Sequence, residues 1–224
     1  MPERFLSIFT DFREEYVKAL LETLDMMGTA LVISLIAGLL LGFVLFITGA
    51  SGIRRNRLVY SLLSGAINLV RSVPFILLII VMIPFNRQIV GTGFGVTASK
   101  VPLSIIGIAL YARFTEQNLL DVDKSIYETS YTMGADLYQY FRYFLLREAR
   151  SGLILSFTTM AISLLSYSTV MGIIGGGGLG YLAISEGYQN FNYDLMWIII
   201  LTMVILVQLL QAAGNLLAKK YDKR

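Results

Sequence analysis

The sequence of 224 residues contains no cysteine and no histidine. Its own side chains therefore cannot form a disulfide, a Cys/His zinc site, a Ser-His-Asp triad or a cysteine nucleophile. Charge is also scarce, because Asp, Glu, Lys and Arg make up only 15% of the residues. The 18 basic and 15 acidic residues leave a net charge of +3, too balanced for a nucleic-acid-binding protein. These absences argue against most familiar enzyme classes and against a nucleic-acid partner.

Apolar residues are abundant instead. They make up 56% of the chain, and the mean hydropathy of +0.69 is too high for a water-soluble domain of this length. Five apolar segments are long enough to cross a membrane core of about 30 Å as helices. The predicted spans are residues 26–50, 58–85, 92–112, 151–174 and 195–218. The sequence therefore predicts an all-α integral membrane protein with five transmembrane helices.

Two of these segments contain residues that interrupt helices. Arg71 lies inside the second span, together with Pro74 and Pro84, so we expect that helix to be kinked or interrupted at its middle. The uncharged stretch 151–185 is longer than one span needs, and it includes the glycine-rich run 175–180. Glycine disfavours helix continuation, so the fourth helix is expected to end before that run.

Basic residues divide unequally between the two sets of loops. One set has 12, namely Arg54, Arg55, Arg57, Arg113, Lys124, Arg142, Arg147, Arg150, Lys219, Lys220, Lys223 and Arg224. The other set has five, namely Arg4, Arg13, Lys18, Arg87 and Lys100. The positive-inside rule places the richer set in the cytoplasm. This predicts an N-terminus outside, a basic cytoplasmic tail at 219–224, and a cytoplasmic segment at 114–150.

The N-terminal segment is amphipathic and lacks the short apolar core of a signal peptide. Its apolar residues recur at steps of three and four: Phe5, Ile8, Phe9, Phe12, Tyr16, Leu20 and Leu24. This spacing predicts an interfacial helix, which either packs on the bundle as a lead-in or docks another molecule. Residues 1–19 are assigned to this extracytoplasmic segment and residues 20–218 to the transmembrane domain.

The cytoplasmic segment 114–150 has the pattern of a short helix. Asp121, Asp123 and Ser125 are candidate N-caps, and Gly134 is a candidate stop. A helix of about two turns between two spans forms a compact knob that another protein can grip. The alternative is a solvated connector.

The same segment resembles the E-A-A loop of binding-protein-dependent ABC importer permeases. The matching pattern is Glu128-Thr129-Ser130, three residues, Gly134, nine residues, and Phe144-Leu145-Leu146. The chain departs from the family pattern where Thr129 and Ser130 replace alanines, Phe144 replaces an aliphatic residue and Arg147 replaces proline. The resemblance assigns coupling with an ATPase to Glu128, Thr129, Ser130, Gly134 and Ala135.

Other stretches are similar to methionine-type ABC permeases, and the resemblance runs from about residue 20 to the end. They are residues 68–78, 83–92, 111–113, 172–191 and 207–211. The resemblance implies the ABC type-1 importer fold and a homodimer bound to two cytoplasmic ATPase subunits, which carry ATP and Mg²⁺. It also implies a substrate-binding protein outside, and methionine, in L and D form, as the cargo. ATP binding would draw the ATPase subunits and the knobs together and open the bundle outward, and hydrolysis would reset it.

Two glycine motifs bear on nucleotide binding. The phosphate-binding pattern G-x-x-x-x-G-K-[ST] is absent from the sequence, so ATP hydrolysis must come from a partner and the chain itself is not an enzyme. Gly175, Gly177 and Gly180 satisfy the dinucleotide pattern G-x-G-x-x-G. However, this run follows a transmembrane span rather than a strand, so we interpret it as an outer loop, which also includes Gly176 and Gly178.

Candidate residues for a transport passage lie in the second and fourth spans. They are Arg71, Ser72, Pro74, Ser163 and Tyr167. An unpaired arginine in the membrane costs about 2.5 to 3.5 kcal/mol, so Arg71 needs a compensating environment. Arg71 lies in a transport passage or forms an ion pair within the bundle. A third alternative is that its aliphatic chain extends far enough to bring the guanidinium group to the membrane interface. The polar residues of the fourth span either line the passage or make helix contacts.

Small residues in the first span have a different interpretation. Gly28, Gly38 and Gly42 recur along this span and predict close packing against another helix.

Two alternatives to methionine import stay open from the sequence. One is the same importer class with another amino acid or a small peptide as cargo. The other is an ATP-independent channel or scaffold, an alternative that Arg147 keeps open because it departs from the loop pattern.

Overall fold

The computed structural model describes residues 11–50 and 52–222, and this part of the chain is helical with short connections. The α-helices are α1 (Arg13–Thr48), α2 (Arg57–Ser72), α3 (Phe75–Val90), α4 (Gly95–Leu120), α5 (Lys124–Thr132), α6 (Leu137–Gln139), α7 (Leu146–Ile173), α8 (Gly178–Leu182) and α9 (Tyr193–Tyr221). Two π-helical segments, Tyr140–Leu145 and Ala183–Gln189, follow α6 and α8. Phe5, Ile8 and Phe9 of the predicted interfacial helix, and Lys223 and Arg224 of the tail, lie outside the described residues.

Four helical elements within the described ranges are long and apolar enough to cross a membrane alone. They are α1, α4, α9 and the continuous helical rod Leu137–Ile173. Helices α2 and α3 qualify only together, with a bend of 109° between them, and the total is five if this bent pair is one broken span. The interruption expected in the second span is therefore present.

The bend lies at Val73 and Pro74 for a local reason. Val73 is extended at φ −77° and ψ 126°, the conformation that a following proline favours. Pro74 also lacks the N–H that would continue the hydrogen bonds of α2, so the chain restarts as α3. Pro84, by contrast, lies inside α3 without ending it.

The first helix is longer than the predicted first span. It contains 36 residues, about 54 Å at 1.5 Å per residue, and from Arg13 onward it includes the described part of the amphipathic stretch. Phe12, Tyr16 and Leu20 pack against the buried residues Leu179 and Leu195. The described part of the N-terminal stretch is thus a lead-in packed on the bundle.

The connection between the third and fourth spans is shorter than the predicted segment 114–150. Helix α4 continues to Leu120, and the next helical rod already begins at Leu137. Polar residues beyond position 112 suggested a loop, but Glu116 is buried and hydrogen-bonded inside the bundle. Tertiary partners for polar groups therefore extended the helix beyond the apolar pattern.

Helix α4 lies at the centre of the bundle, and α1 packs along it. The main core combines both helices with α3 and α7, including Met26, Leu103, Met160 and Leu164. A Cβ at Gly42 would lie 2.6 Å from the Ala112 carbonyl oxygen, whereas nothing lies within 4 Å of a Cβ at Gly28. The predicted close packing is therefore present at Gly42 and absent at Gly28.

This difference predicts opposite results for the same substitution at two positions of one helix. Gly42→Ala should lower the free energy of unfolding by about 1–3 kcal/mol, because backbone and Thr115 atoms must move apart. Gly28→Ala should be neutral or slightly stabilising, since alanine is the better helix former. Thermal unfolding of the purified variants in one detergent measures both. Equal melting temperatures would contradict the packing described here.

Candidate functional site

Helix α5 is the knob predicted between the third and fourth spans. The Asp123 side chain accepts a hydrogen bond of 2.8 Å from the Ser125 N–H and caps the first turn. This hydrogen bond lowers the pKa of Asp123, so the cap keeps its charge at neutral pH and weakens only under strong acidification. Of the three candidate caps, the structure therefore selects Asp123.

Gly134 ends the knob in the left-handed conformation, at φ 71°. Its N–H donates to the Tyr131 carbonyl oxygen at 3.0 Å, and the Ala135 N–H donates to the Ser130 carbonyl oxygen at 3.0 Å. These two bonds form a complete Schellman motif, which satisfies carbonyl groups that a helix end leaves unpaired. Asp136 and Gln139 then form a capping box that starts the next helix. Both ends of α5 are thus fixed by local hydrogen bonds.

The knob stands on an apolar base and presents an open face. Ile126 packs against a buried cluster that includes Phe46, Leu119 and Leu145. Of the five residues that the resemblance assigned to coupling, Glu128, Thr129 and Gly134 are exposed, Ala135 is half-buried and Ser130 is buried.

Three large side chains at the end of α5 and in α6 are each more than two thirds exposed, and sequence reasoning had not assigned them to coupling. They are Tyr131 (73% exposed), Met133 (71%) and Tyr138 (68%). Exposed aromatic and Met side chains are typical of protein interfaces.

The predicted passage residues lie on both sides of the contact between the broken span and α7. Phe75, directly after Pro74, stacks against Tyr167 with ring centroids 4.5 Å apart. Ser163, one turn earlier on α7, is half-buried. Arg71 and Ser72 are exposed at the end of α2. The bend and α7 therefore meet at one place, as a shared passage requires.

Arg71 has no partner inside the described bundle. The ion pairs formed between described residues are Lys100–Asp25 and Arg113–Glu116, and neither includes Arg71. Its side chain is exposed on the surface of the single chain. The alternative of an ion pair within the bundle is therefore not realised among residues 11–50 and 52–222.

A polar strip follows one side of α7. The hydroxyl groups of Thr159, Ser163 and Ser166 each donate to the carbonyl oxygen four residues earlier, at 2.9 to 3.3 Å. These bonds satisfy the hydroxyl donors locally and leave acceptor capacity on the oxygen atoms. The strip gives α7 a side with polar atoms in an otherwise apolar chain.

Sequence reasoning missed a polar cluster between α2 and α4, whose charged members Arg113 and Glu116 are mostly buried. The Arg113 Nη1 contacts Glu116 Oε2 at 2.5 Å, and Arg113 Nη2 donates to Ser64 Oγ at 2.8 Å and Asn68 Oδ1 at 3.0 Å. Glu116 is 3% exposed. The available signal was the charged pair three residues apart on one helix. The spacing of Arg113 and Glu116 did not indicate a helical pair because the third span was predicted to end at residue 112.

The glycine run at 175–180 is a tightly docked loop. Gly175, Gly177 and Gly178 all have positive φ, near 77°, which non-glycine residues rarely adopt. Gly176 donates its N–H to the Met171 carbonyl oxygen at 2.8 Å. Gly180 packs so closely on Thr169 that a Cβ there would lie 2.5 Å from the Thr169 Cα. Conformation and space both require glycine here.

Two residues of α1, also missed from the sequence, hold this loop. Glu22 Oε2 accepts the Gly178 N–H at 2.8 Å, and Thr23 Oγ1 accepts the Leu179 N–H at 2.8 Å. In a dinucleotide site these N–H groups would face phosphate, whereas here a carboxylate already occupies that position. The loop is therefore a structural element and not a nucleotide site.

The hydrogen bond between Leu179 and Thr23 predicts a large effect on the loop when Thr23 is replaced by an isosteric residue. Thr23→Val should destabilise the loop by about 1–3 kcal/mol, because the buried Leu179 N–H loses its acceptor. Thr29→Val on the same helix is the matched control, since that hydroxyl is exposed and bonds only to the Asp25 carbonyl oxygen. Hydrogen exchange over residues 175–189 should accelerate in the first variant alone. Similar exchange in both would contradict the role of Thr23.

Within the described ranges, no group of three or more acidic residues is arranged to hold a metal ion.

The sequence of this chain is similar to known transport proteins along most of its length. The model of the family described as binding-protein-dependent transport system inner membrane component matches residues 34–224. A probable D-methionine transport system permease protein MetI of Pasteurella multocida is 40% identical over 204 residues, covering 91% of this chain and 94% of that protein. The methionine import system permease protein MetP of Bacillus subtilis is 37% identical, covering 80% and 81%.

Solved structures agree with the described helices. A chain of the inward-facing MetNI methionine ABC transporter matches with a TM-score of 0.92 and 36% identity, covering 95% of this chain and 99% of that chain. An amino acid ABC transporter crystallised with histidines matches with a TM-score of 0.78 at 18% identity, which supports the fold alone.

Proposed function

This chain belongs to the family of binding-protein-dependent transport system inner membrane components, and on that premise we propose that it is the permease subunit of an ATP-driven methionine importer. The similarity to methionine permeases along nearly the whole chain carries this proposal. The capped knob α5 supports it, because a transport subunit without a nucleotide site needs a surface that receives movement from an ATPase. The chain is a multi-pass membrane subunit and not itself an enzyme.

The proposed assembly is a homodimer of this chain with two cytoplasmic ATPase subunits. ATP and Mg²⁺ bind to the ATPase, and an extracytoplasmic binding protein delivers the cargo. The excess of basic residues in one set of loops supports an N-terminus outside and a C-terminus in the cytoplasm. In this orientation α5 lies on the side where ATP is available.

The knob couples the ATPase to the bundle through its base. Glu128, Thr129 and Gly134 contact the ATPase on the exposed face, with Tyr131 and Met133 as apolar anchors. Ile126 and Phe141 transmit the displacement, because both pack on the cytoplasmic end of α1 and of the following rod. Close packing makes such a displacement move whole helices rather than single side chains.

The passage forms where two copies bring their α2–α3 bends and α7 helices together. Arg71, Ser72 and Pro74 lie on one side, and Ser163 and Tyr167 on the other. Exposed Arg71 needs a polar or anionic neighbour in the membrane, which a water-filled passage with a zwitterionic amino acid supplies. Alternating access then opens this region to one side of the membrane at a time.

Reconstitution into liposomes with the partner ATPase tests this function. Labelled methionine should accumulate only with ATP and the binding protein, and unlabelled L- and D-methionine should compete. Competition by another amino acid or a peptide, with methionine ineffective, would assign the second candidate cargo. Flux that needs no ATP would overturn the importer in favour of a channel.

A further inference from the structure

A deep groove runs between α1 and α9, with α7 as its floor. Its volume is 630 Å³, and its walls are mainly aliphatic, including Leu31, Leu35 and Leu39 of α1 and Leu210 and Leu217 of α9. At the other end of these helices, the Tyr16 hydroxyl and Thr202 Oγ1 form a hydrogen bond of 2.6 Å. The two helices are therefore joined at one end and separated at the other, where the groove lies.

Three arginines line one end of this groove: Arg142, Arg147 and Arg150. Arg142 and Arg147 are exposed and Arg150 is half-buried. In the part of the chain that the structure describes, none of them is in an ion pair, since those pairs are Lys100–Asp25 and Arg113–Glu116. No acidic residue lines the groove. Within the groove the three positive charges therefore face no carboxylate, although Arg147 also borders a neighbouring cavity lined by Asp121, Asp123, Glu148 and Asp222.

Two of the three arginines, Arg142 and Arg150, are oriented by neighbours that leave their charge unneutralised. Arg150 donates its Nε–H to the Arg147 carbonyl oxygen at 3.1 Å and lies over the Tyr221 ring at 4.9 Å. Arg142 lies 5.9 Å from the centroid of the Tyr143 ring. Cation–π contacts orient a guanidinium group without compensating its charge. The remaining N–H donors suit a phosphate, which guanidinium groups bind in bidentate fashion.

We propose that this groove binds an anionic phospholipid, with one acyl chain between α1 and α9 and the phosphate at Arg142, Arg147 and Arg150. The length fits this occupant. From Arg150 to Ala161 the floor helix rises about 16 Å, and one leaflet of the membrane core is about 15 Å thick. The inference rests on the proposed cytoplasmic orientation of the arginines, because anionic lipids are enriched on that side.

Native mass spectrometry of the purified full-length chain tests this site with two lipids of identical acyl chains. Phosphatidylglycerol should be retained in preference to phosphatidylcholine. Replacing the three arginines with glutamine should weaken phosphatidylglycerol retention roughly a hundredfold, from the typical contribution of each basic residue to anionic lipid binding. The same triple substitution at Arg54, Arg55 and Arg57, which lie outside the groove, should change it little.

A second pair of variants tests the acyl-chain part of the groove while every charge is kept. Ala213 lines the groove and neighbouring Ala212 does not, although both are exposed. Ala213→Trp should fill the groove and reduce retention of the lipid, whereas Ala212→Trp should leave it unchanged. Glycerol phosphate added as a competitor should displace little lipid, because it lacks the acyl chain.

Three results would overturn the proposal. They are equal retention of the two lipids, equal loss in both arginine triples, and full displacement by glycerol phosphate with no effect of Ala213→Trp. The last result would show an anion site without a lipid. The lipid measurements do not depend on transport. If any of these three results is found while ATP-driven methionine uptake is intact, the lipid site is wrong and the proposed importer function is unaffected.

Discussion

Gly134→Val is expected to reduce ATP-driven methionine uptake at least tenfold while the transmembrane bundle stays folded. Gly134 has φ 71° and ends the knob through the Schellman motif. A β-branched residue in this conformation costs about 1–3 kcal/mol, and a helix of nine residues has little stability of its own to offset it. The knob should then lose the shape that the ATPase grips.

The expected effect comes from the backbone conformation of Gly134 and not from a steric clash. A residue that tolerates this conformation is therefore a suitable control. Nothing lies within 4 Å of a Cβ placed at Gly134, so a side chain fits sterically. Asparagine tolerates the left-handed conformation, so Gly134→Asn should retain most uptake. Co-purification with the ATPase and uptake into liposomes should fall together in the valine variant, with an unchanged melting temperature. Uptake at the normal rate in Gly134→Val would show that α5 does not couple.

Glu116→Gln should be the most destabilising of the substitutions considered, at about 3–5 kcal/mol. The change removes the carboxylate and leaves the Arg113 charge between α2 and α4. A mostly buried charge without its counter-ion is costly. Ser64 Oγ and Asn68 Oδ1 accept from Arg113 as neutral dipoles and do not replace the lost charge. Denaturant unfolding or thermal melting in detergent measures the loss.

The molecule offers a matched ion pair as the control for this prediction. Lys100 and Asp25 also bridge two helices, at 2.7 Å, but the Asp25 side chain is 57% exposed. Asp25→Asn should therefore cost less than about 1 kcal/mol. The double variant Arg113→Met/Glu116→Leu should recover much of the stability lost in Glu116→Gln, since no lone charge remains. Equal losses in Glu116→Gln and Asp25→Asn would contradict the burial of the Arg113 pair.

Local signals predicted much of the knob α5, the proposed coupling site, because the knob is built from local interactions. Asp123 caps the start of α5 by accepting from the Ser125 N–H, two residues later. At the other end, Gly134 donates to Tyr131 and Ala135 donates to Ser130. Such contacts depend on a few neighbouring residues, so spacing is enough to find them. The exposure of Tyr131, Met133 and Tyr138 was not predictable in this way, because it depends on which faces of α5 and α6 pack on the bundle.

The outer loop shows the opposite situation. Its glycines predicted a turn, but the residues that hold it, Glu22 and Thr23, lie 156 positions earlier in the sequence. Only the packing of α1 beside α8 brings them together. The Arg113 cluster and the groove between α1 and α9 also depend on helices that are distant in sequence. No periodicity within one segment encodes such a contact.

The sequence by itself determined the all-α membrane class, the interrupted second span, the capped knob and the absence of a G-x-x-x-x-G-K-[ST] motif. These follow from apolar length, proline, capping residues and absent nucleotide motifs, which all act within one segment. The tertiary structure decided where helices truly end, which of Gly28 and Gly42 meets another helix, and which buried charges find partners. The physical reason is that burial and pairing are properties of several helices together, and in this chain they override local polarity.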